Sequence, residues 1–106
     1  MHLLLTDETR GFLGADRLAK LRPGTILVNT ARGAIVDEAA MIAALRSGQL
    51  HHAALDVFAT EPLPAGHELA TLRNVTLSAH SAFRTPEASD NLIRRALDIA
   101  RTLVPG

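Results

Sequence analysis

Short apolar runs alternate along the chain with segments whose apolar residues recur at helical spacing. The runs short enough for strands are residues 2–5, 25–31, 52–58 and 74–79. In the second run Ile26, Leu27 and Val28 are consecutive, which is typical of a strand that is covered on both faces. The pattern therefore predicts a mainly parallel sheet of about four strands.

Helical segments are predicted between and after these strands. In residues 6–24, Thr6 and Thr9 can each cap a helical turn, and Pro23-Gly24 can end a helix. A second helix is predicted between Asp37, a suitable N-cap, and Gly48, a suitable left-handed C-terminal residue.

The last helix is predicted to follow the cap residue Thr85, with Pro86 at its first position. Its apolar residues stand at helical spacing and are Leu92, Ile93, Ala96, Leu97, Ala100, Leu103 and Val104. The order of elements predicts an α/β fold with helices on the faces of a parallel sheet. With 106 residues and no repeat or linker, residues 1–106 are expected to form a single domain.

Composition narrows the classes of function. Eleven basic and eleven acidic residues cancel, and no run of about five or more Lys and Arg residues occurs, so a nucleic-acid partner is not expected. No apolar run approaches the ~20 residues of a membrane-spanning helix, so no membrane partner is expected either. The absence of cysteine excludes disulfides and thiolate chemistry, and it fits a cytoplasmic location.

Polar residues follow the predicted strands at the edge where parallel sheets bind ligands. Arg32 and His80 come directly after their strands, whereas Asp56 lies near the end of the strand at residues 52–58 and Glu61 lies just past it. A guanidinium can bind a carboxylate through two hydrogen bonds, and an imidazole can transfer a proton near neutral pH. A glutamate beside that histidine would favour its charged form. The set suits reduction of a 2-keto acid or oxidation of a 2-hydroxy acid, although each residue taken alone is better explained as a surface charge, a cap, a loop residue or a structural histidine.

Several separated blocks carry a family resemblance. The stretches HLLLTDETRGFL, LRPGTILVNTARGAIVDEAAMIAAL, AALDVFATEPLP and NVTLSAHSAFRTPEA together resemble the NAD-binding domain of the D-isomer-specific 2-hydroxyacid dehydrogenases. The resemblance extends over nearly all of residues 2–101. It implies a Rossmann-like half-domain that takes part in hydride transfer between NAD or NADP and a small 2-hydroxy or 2-keto acid.

The resemblance also implies roles for individual residues. Arg32 would bind the carboxylate and carbonyl oxygen of the substrate, and His80 paired with Glu61 would be the acid and base. Asp56 would receive the nicotinamide carboxamide, and Thr6, Thr30, Ala31 and Ser81 would line the cofactor site. The sequence departs from the family pattern at Leu4 and Ala79, where proline is usual, and each change removes a backbone restraint.

A larger departure concerns the phosphates of the cofactor. The chain has no G-x-G-x-x-G turn, so it is expected to represent a partial domain, without the adenosine-binding half and the substrate domain. NAD or NADP should then bind weakly, and the chain by itself should have little or no dehydrogenase activity. Residues 2–5 would form an exposed apolar edge strand, which predicts a homo-oligomer or association with a polypeptide that supplies the other half.

Two other interpretations remain open from the residues alone. The chain could be a non-catalytic binding or assembly module that keeps the dehydrogenase fold. The histidines could also bind a metal, and they are His51, His52, His67 and His80. Neighbouring histidines on a strand point to opposite faces, so no metal site is expected.

Overall fold

The structure is a computed structural model, and it describes residues 1–103. Its strands and α-helices, in chain order, are α1 (Ala15–Ala19), β1 (Thr25–Asn29), α2 (Glu38–Ser47), β2 (Leu50–Leu55), β3 (Val75–Leu77) and α3 (Pro86–Leu103). Short 3-10 helices cover Gly33–Ile35 and Glu68–Thr71. This order confirms the predicted α/β class.

The three strands form one parallel sheet in the order β1-β2-β3. The ladder pairs Asn29 with Leu55, and Leu55 in turn with Leu77. The last residues of all three strands are therefore aligned, and the loops that follow them begin at one edge of the sheet. The prediction of a parallel sheet is confirmed, and this edge is called the carboxyl rim below.

The predicted strand at residues 2–5 is wrong. This segment has no strand hydrogen bonding, so the described residues form three strands instead of about four. The residue before it is bonded to β1, since the amino group of Met1 donates to the carbonyl of Val28 at 2.8 Å. Leu4 is 79% exposed, because the segment has no second layer on which to pack. An apolar run alone does not make a strand where burial is lacking.

The expectation that β1 is covered on both faces is also wrong. Leu27 is 7% exposed, whereas Ile26 and Val28 are 59% and 50% exposed. The buried face packs against α2, whose Met41 and Leu45 belong to the same core as Leu27. Within the described residues the opposite face of β1 has no such helix, so burial alternates along the strand as it does in a sheet with one solvated face.

Helix α2 begins and ends as its sequence predicts. The Asp37 side chain accepts a hydrogen bond from the backbone N–H of Ala40 at 3.0 Å, which satisfies one of the unpaired donors of the first turn. Gly48 ends the helix in the left-handed region with φ 82°.

Residues 6–24 form less helix than their capping residues suggest. The hydroxyl of Thr6 accepts from the backbone N–H of Thr9 at 3.2 Å, and the hydroxyl of Thr9 accepts from the N–H of Thr6 at 2.7 Å. These bonds close a turn at residues 7–11, and α1 follows it as a single short helix that ends before Pro23-Gly24.

Helix α3 starts where the sequence predicts, but it is not buried against any other element in residues 1–103. Thr85 caps it by accepting from the N–H of Ala88 at 3.0 Å, and Pro86 is its first residue. No residue of α3 is buried, and Leu92 and Leu103 are 72% and 75% exposed. The molecule measures 63 × 28 × 24 Å because this helix projects from the sheet. Val104, the last apolar residue of the predicted stripe, lies outside the described residues.

The hydropathy of the helices bears on whether any of them could cross a membrane. Within residues 1–103 no helix combines the length and the apolar character that a bilayer crossing requires.

The capping role of Asp37 can be measured. Replacing Asp37 by alanine leaves the N–H of Ala40 without its acceptor and should lower the free energy of unfolding by about 1 kcal/mol. Urea denaturation checks this value. Asp16→Ala is the control, since Asp16 lies in the first turn of α1 and that helix has no side-chain cap. Equal losses in the two variants would contradict the capping role.

Candidate active site

The loop after β1 carries Arg32 in a turn built by Asn29. The Asn29 side chain is 1% exposed. Its oxygen accepts from the N–H of Ala31 at 3.1 Å, and its nitrogen donates to the carbonyl of Arg32 at 3.0 Å. Both ends of the turn are thus held by one buried amide, and the Arg32 side chain is directed outward, where it is exposed.

Gly33 lets the Arg32 loop lie directly against the loop that follows β2. A Cβ atom at Gly33 would stand 2.0 Å from the carbonyl carbon of Phe58 and 2.4 Å from the nitrogen of Ala59. Only a residue without a side chain permits this backbone contact. The contact sets the position of Arg32 relative to Glu61, which lies three residues after Phe58.

Glu61 and His80 are joined across the carboxyl rim. The Nδ1 atom of His80 lies 2.7 Å from Oε2 of Glu61. The other carboxylate oxygen of Glu61 accepts from the N–H of Phe58 at 3.0 Å, so each oxygen has a partner. Both side chains remain partly open to solvent, with relative exposures of 40% for His80 and 36% for Glu61. The pair is therefore fixed in orientation and still accessible to a ligand.

The hydrogen bond from His80 holds the pKa of Glu61 below its ordinary value, and the backbone N–H of Phe58 acts in the same direction. Arg32 contributes a smaller Coulombic lowering, which places its positive charge within electrostatic reach of the pair. Glu61 is accordingly ionised at neutral pH and available as a hydrogen-bond acceptor.

Asp56, at the end of β2, is buried and accepts hydrogen bonds from the loop that follows β3. Its Oδ1 accepts from the hydroxyl of Ser78 at 2.5 Å and from the N–H of Ser81 at 2.9 Å, and its Oδ2 accepts from the N–H of Ala82 at 2.9 Å. The bond from Ser78, more than any other interaction, lowers the pKa of Asp56, and the two backbone donors add to it against the opposing effect of burial. One lone-pair direction of Oδ2 is left unused.

The predicted catalytic residues Arg32, Glu61 and His80 divide between two recesses. Glu61 and His80 line a cleft of about 650 Å³ whose walls also include Phe58, Leu63 and Leu77. Arg32 and Ala31 line a smaller recess of about 320 Å³, and residues 2–5 form its other wall. The structure thus joins Glu61 to His80 directly, whereas Arg32 lines a different recess.

The residues predicted to line the cofactor site do not all lie in one recess. Ala31 lines the recess of Arg32, and Thr30 is exposed beside it. Ser81 is held through its N–H by Asp56. Thr6 follows the segment that walls the Arg32 recess, and its hydroxyl is bonded within the turn to Thr9.

Sequence reasoning gave no role to three residues that build this rim: Asn29, Gly33 and Ser78. The glycine directly after Arg32 carried a usable signal, because a glycine at a strand end often marks a close backbone approach. A buried amide at the end of an apolar strand is a weaker signal for Asn29, and nothing in the sequence connects Ser78 with Asp56 across 22 positions.

The fold and the rim together define part of a nucleotide-binding α/β domain. The chain belongs to the D-isomer specific 2-hydroxyacid dehydrogenase, NAD binding domain family, whose profile matches residues 1–82. This confirms the family resemblance and places the chain among NAD-binding oxidoreductase domains.

Curated relatives agree with this assignment. Glyoxylate/hydroxypyruvate reductase B of Erwinia tasmaniensis is 46% identical over 96 residues, which cover 91% of this chain and 30% of that protein. Glyoxylate reductase of Aeropyrum pernix is 47% identical over 104 residues, covering 98% of this chain and 30% of that protein. The chain therefore spans about a third of the length of these relatives.

Solved structures show the same fold. The D-isomer specific 2-hydroxyacid dehydrogenase of Lactobacillus delbrueckii ssp. bulgaricus, in its NAD-complexed form, matches with a TM-score of 0.85 and 30% identity over 96% of this chain and 35% of that one. A D-lactate dehydrogenase from Sporolactobacillus sp. matches with a TM-score of 0.84 and 34% identity over 92% of this chain and 33% of that one.

The close approach at Gly33 predicts a large effect of a small substitution. Gly33→Ala forces a methyl group into the backbone of Phe58 and should lower the free energy of unfolding by about 1–3 kcal/mol or more. Gly14→Ala is the control, because its added methyl group would meet only an ordinary contact at 3.4 Å, and its cost should stay below about 1 kcal/mol. Thermal denaturation of both variants measures the difference, and equal midpoints would show that the loops do not meet as described.

At acid pH, Asp56 should contribute less to the free energy of unfolding. Because its pKa is lowered on folding, the stabilisation is present above the ordinary range of aspartate, near pH 4, and is lost as the pH falls through the lowered pKa. The stability difference between the unmodified chain and Asp56→Asn should therefore shrink from about pH 5 to pH 2. Urea denaturation at several pH values checks this, and a stability difference that stays constant over that range would contradict the role of Asp56.

Proposed function

We propose that this chain carries the acid–base and substrate-carboxylate residues of an NAD(P)-dependent oxidoreductase that interconverts a 2-hydroxy acid and a 2-keto acid. The single observation that carries the proposal is the 2.7 Å contact between His80 and Glu61 at the rim that also presents Arg32. The family membership supports the same reaction class.

Arg32 is proposed to bind the substrate carboxylate and carbonyl oxygen. Its Nη1 donates to the carbonyl of Ala31 at 2.7 Å, and this single bond leaves most of its five N–H donors for a ligand. Within residues 1–103 it makes no ion pair shorter than 4.0 Å, so an incoming carboxylate would not have to displace an acidic side chain. A planar guanidinium can bind such a group through two parallel hydrogen bonds.

His80 is proposed as the proton donor and acceptor. Glu61 engages Nδ1, which orients the ring and leaves Nε2 for the substrate oxygen. In the reducing direction Nε2–H would donate a proton to the oxygen of the carbonyl, and in the oxidising direction Nε2 would accept the proton of the hydroxyl. The carboxylate of Glu61 stabilises the positive charge that the ring carries before it donates.

The residues present fit the nicotinamide end of NAD or NADP. Asp56 retains one unused lone-pair direction on Oδ2 that suits an amide N–H, and Ala31 lines the recess of Arg32. Thr6, Thr30 and Ser81 complete the set proposed to line this end. When bound, the cofactor supplies or accepts the hydride. Because these 106 residues hold no G-x-G-x-x-G turn, the phosphates find no such cradle here, and weak binding is proposed.

The names of the relatives suggest the size of the substrate. The two curated relatives described above are named as reductases of glyoxylate, and the name of the Erwinia tasmaniensis protein also includes hydroxypyruvate. A 2-keto acid with a short side chain is therefore the first class to test for this chain.

A second candidate function, assembly, rests on a separate observation. The apolar side chains of α3 and the outer face of β1 are uncovered, with Leu97 at 52% and Ile26 at 59% exposure. Uncovered apolar surface of this kind favours association. We propose that the chain associates with a second copy of itself or with a polypeptide that supplies the rest of the cofactor site.

Association can be tested directly. Sedimentation velocity at micromolar concentration should show dimers or larger species, and the double variant Leu92→Ser with Leu97→Ser should shift the distribution toward monomer, since it removes apolar surface. Arg94→Ser with Arg101→Ser, on the polar side of the same helix, is the control. A clean monomer for the unmodified chain would contradict the assembly proposal.

Ligand binding tests the enzymatic proposal without requiring turnover. The method is NMR titration of the ¹⁵N-labelled chain. Reduced nicotinamide mononucleotide and NADH should bind with affinities within about threefold of each other, because only the nicotinamide end of either molecule is held. Signals of Thr30, Ala31 and Ser81 should shift. Oxamate, an analogue of a short 2-keto acid, should shift the signal of Arg32.

Arg32→Ala should weaken oxamate binding by about tenfold or more, the loss expected for a charge-assisted bidentate contact. Arg73→Ala is the matched control, since Arg73 is exposed and precedes β3 at the opposite end of the sheet. If neither variant changes oxamate binding, Arg32 does not bind the substrate. If partner association depends on Arg32 and ligand binding does not, the assembly module is favoured over the enzyme.

A further inference from the structure

The loop that carries His80 is tied at several points to one residue, Asp56. The backbone N–H of His80 donates to the Asp56 carbonyl at 2.8 Å. The Asp56 carboxylate accepts from the hydroxyl of Ser78 and from the N–H groups of Ser81 and Ala82. Residues on both sides of His80, and His80 itself, are thereby fastened to the end of β2.

The backbone of His80 needs such support. It has φ 49°, the only positive value among the non-glycine residues that the structure describes. This region is unfavourable for a residue with a side chain and persists where the surroundings impose it. Ala79 precedes His80, so no proline ring stiffens the loop at that point. The hydrogen bonds to Asp56 support this conformation at His80 and at the residues on both sides of it.

Glu61 and Asp56 act on His80 in different ways. Glu61 contacts the imidazole and sets the direction of the ring. Asp56 contacts backbone groups and a neighbouring hydroxyl, and so sets the place from which the ring projects. A loss of the Asp56 contacts would let the left-handed residue relax, and the ring of His80 would then move away from Glu61.

We propose that Asp56, together with the hydroxyl of Ser78, is a positioning residue for His80 that holds residues 78–82 so that the imidazole reaches Glu61. This role is additional to the contact with the nicotinamide carboxamide that family resemblance implies. It rests on the proposed function only in that His80 is the proton carrier. A carboxylate is needed because Oδ1 and Oδ2 must both accept, which an amide side chain cannot do.

Nuclear magnetic resonance of the ¹⁵N-labelled 106-residue chain tests the role. In Asp56→Asn, one acceptor oxygen becomes a donor, so hydrogen exchange at Ser81 and Ala82 should accelerate by about tenfold or more. Exchange at Ala54, inside the β1-β2-β3 ladder, should change by less than about twofold. Asp16→Asn is the matched control and should leave all three amides unchanged.

A second readout separates positioning from simple loop stability. The Nδ1 resonance of His80 reports its hydrogen bond to Glu61, and in Asp56→Asn it should move toward the value measured in Glu61→Gln. Ser78→Ala should produce the same change in smaller amount, and Ser78→Thr, which keeps the hydroxyl, should restore the original signal.

The outcomes decide the proposal. Faster exchange at Ser81 and Ala82 together with the His80 shift supports it, and loosening of the loop with an unchanged Nδ1 resonance overturns it. If Asp56→Asn does not fold, Ser78→Ala decides: an unchanged Nδ1 resonance in that variant overturns the proposal. Failure of oxamate and reduced nicotinamide mononucleotide to bind would remove the enzymatic role but would leave these readouts intact, so the two failures are distinguishable.

Discussion

The parallel alignment of three short strands is the constraint on which the rest of this structure depends. Because Asn29, Leu55 and Leu77 pair in register, the chain leaves all three strands at one rim. Residues that are nearly 50 positions apart in sequence, such as Arg32 and His80, then need only short loops to become neighbours. A slip of one residue in this register would reverse the facing of a strand and separate the loops.

Buried polar groups convert this alignment into a defined site. Among residues 1–103 the buried polar residues are Asn29 and Asp56, at 1% and 4% exposure, and each stands at a strand end. Each forms hydrogen bonds with the backbone of a loop that carries an exposed side chain of the proposed site. A polar group that is buried must be hydrogen-bonded to be tolerated, so the loop conformation and the burial stabilise each other. The exposed groups Arg32, Glu61 and His80 can therefore be accessible and still well oriented.

The apolar surface of the molecule is unevenly covered. Leu27 and the inner face of α2 share a core, whereas Ile26, Val28 and the apolar residues of α3 face solvent. In the described residues the sheet and its helices therefore form two layers. The consecutive apolar residues of the strands are typical of a sheet that is covered by helices on both faces, which would form three layers. This imbalance is the physical basis for the proposed association, and it is independent of the chemistry at the rim.

The sequence by itself determined the features that depend on neighbouring residues. The caps Asp37, Gly48 and Thr85, the start of α3 at Pro86 and the parallel strands all follow from local propensity and periodicity, and the family could be recognised from separated motifs. The residue types at the strand ends were also sufficient to suggest Arg32, Glu61 and His80. Only the tertiary structure decided that residues 2–5 are not a strand, that β1 is open on one face, and that Ser78 bonds to Asp56. These features depend on which surfaces meet in space, and burial and cross-loop hydrogen bonds are properties of the folded chain that no local pattern encodes.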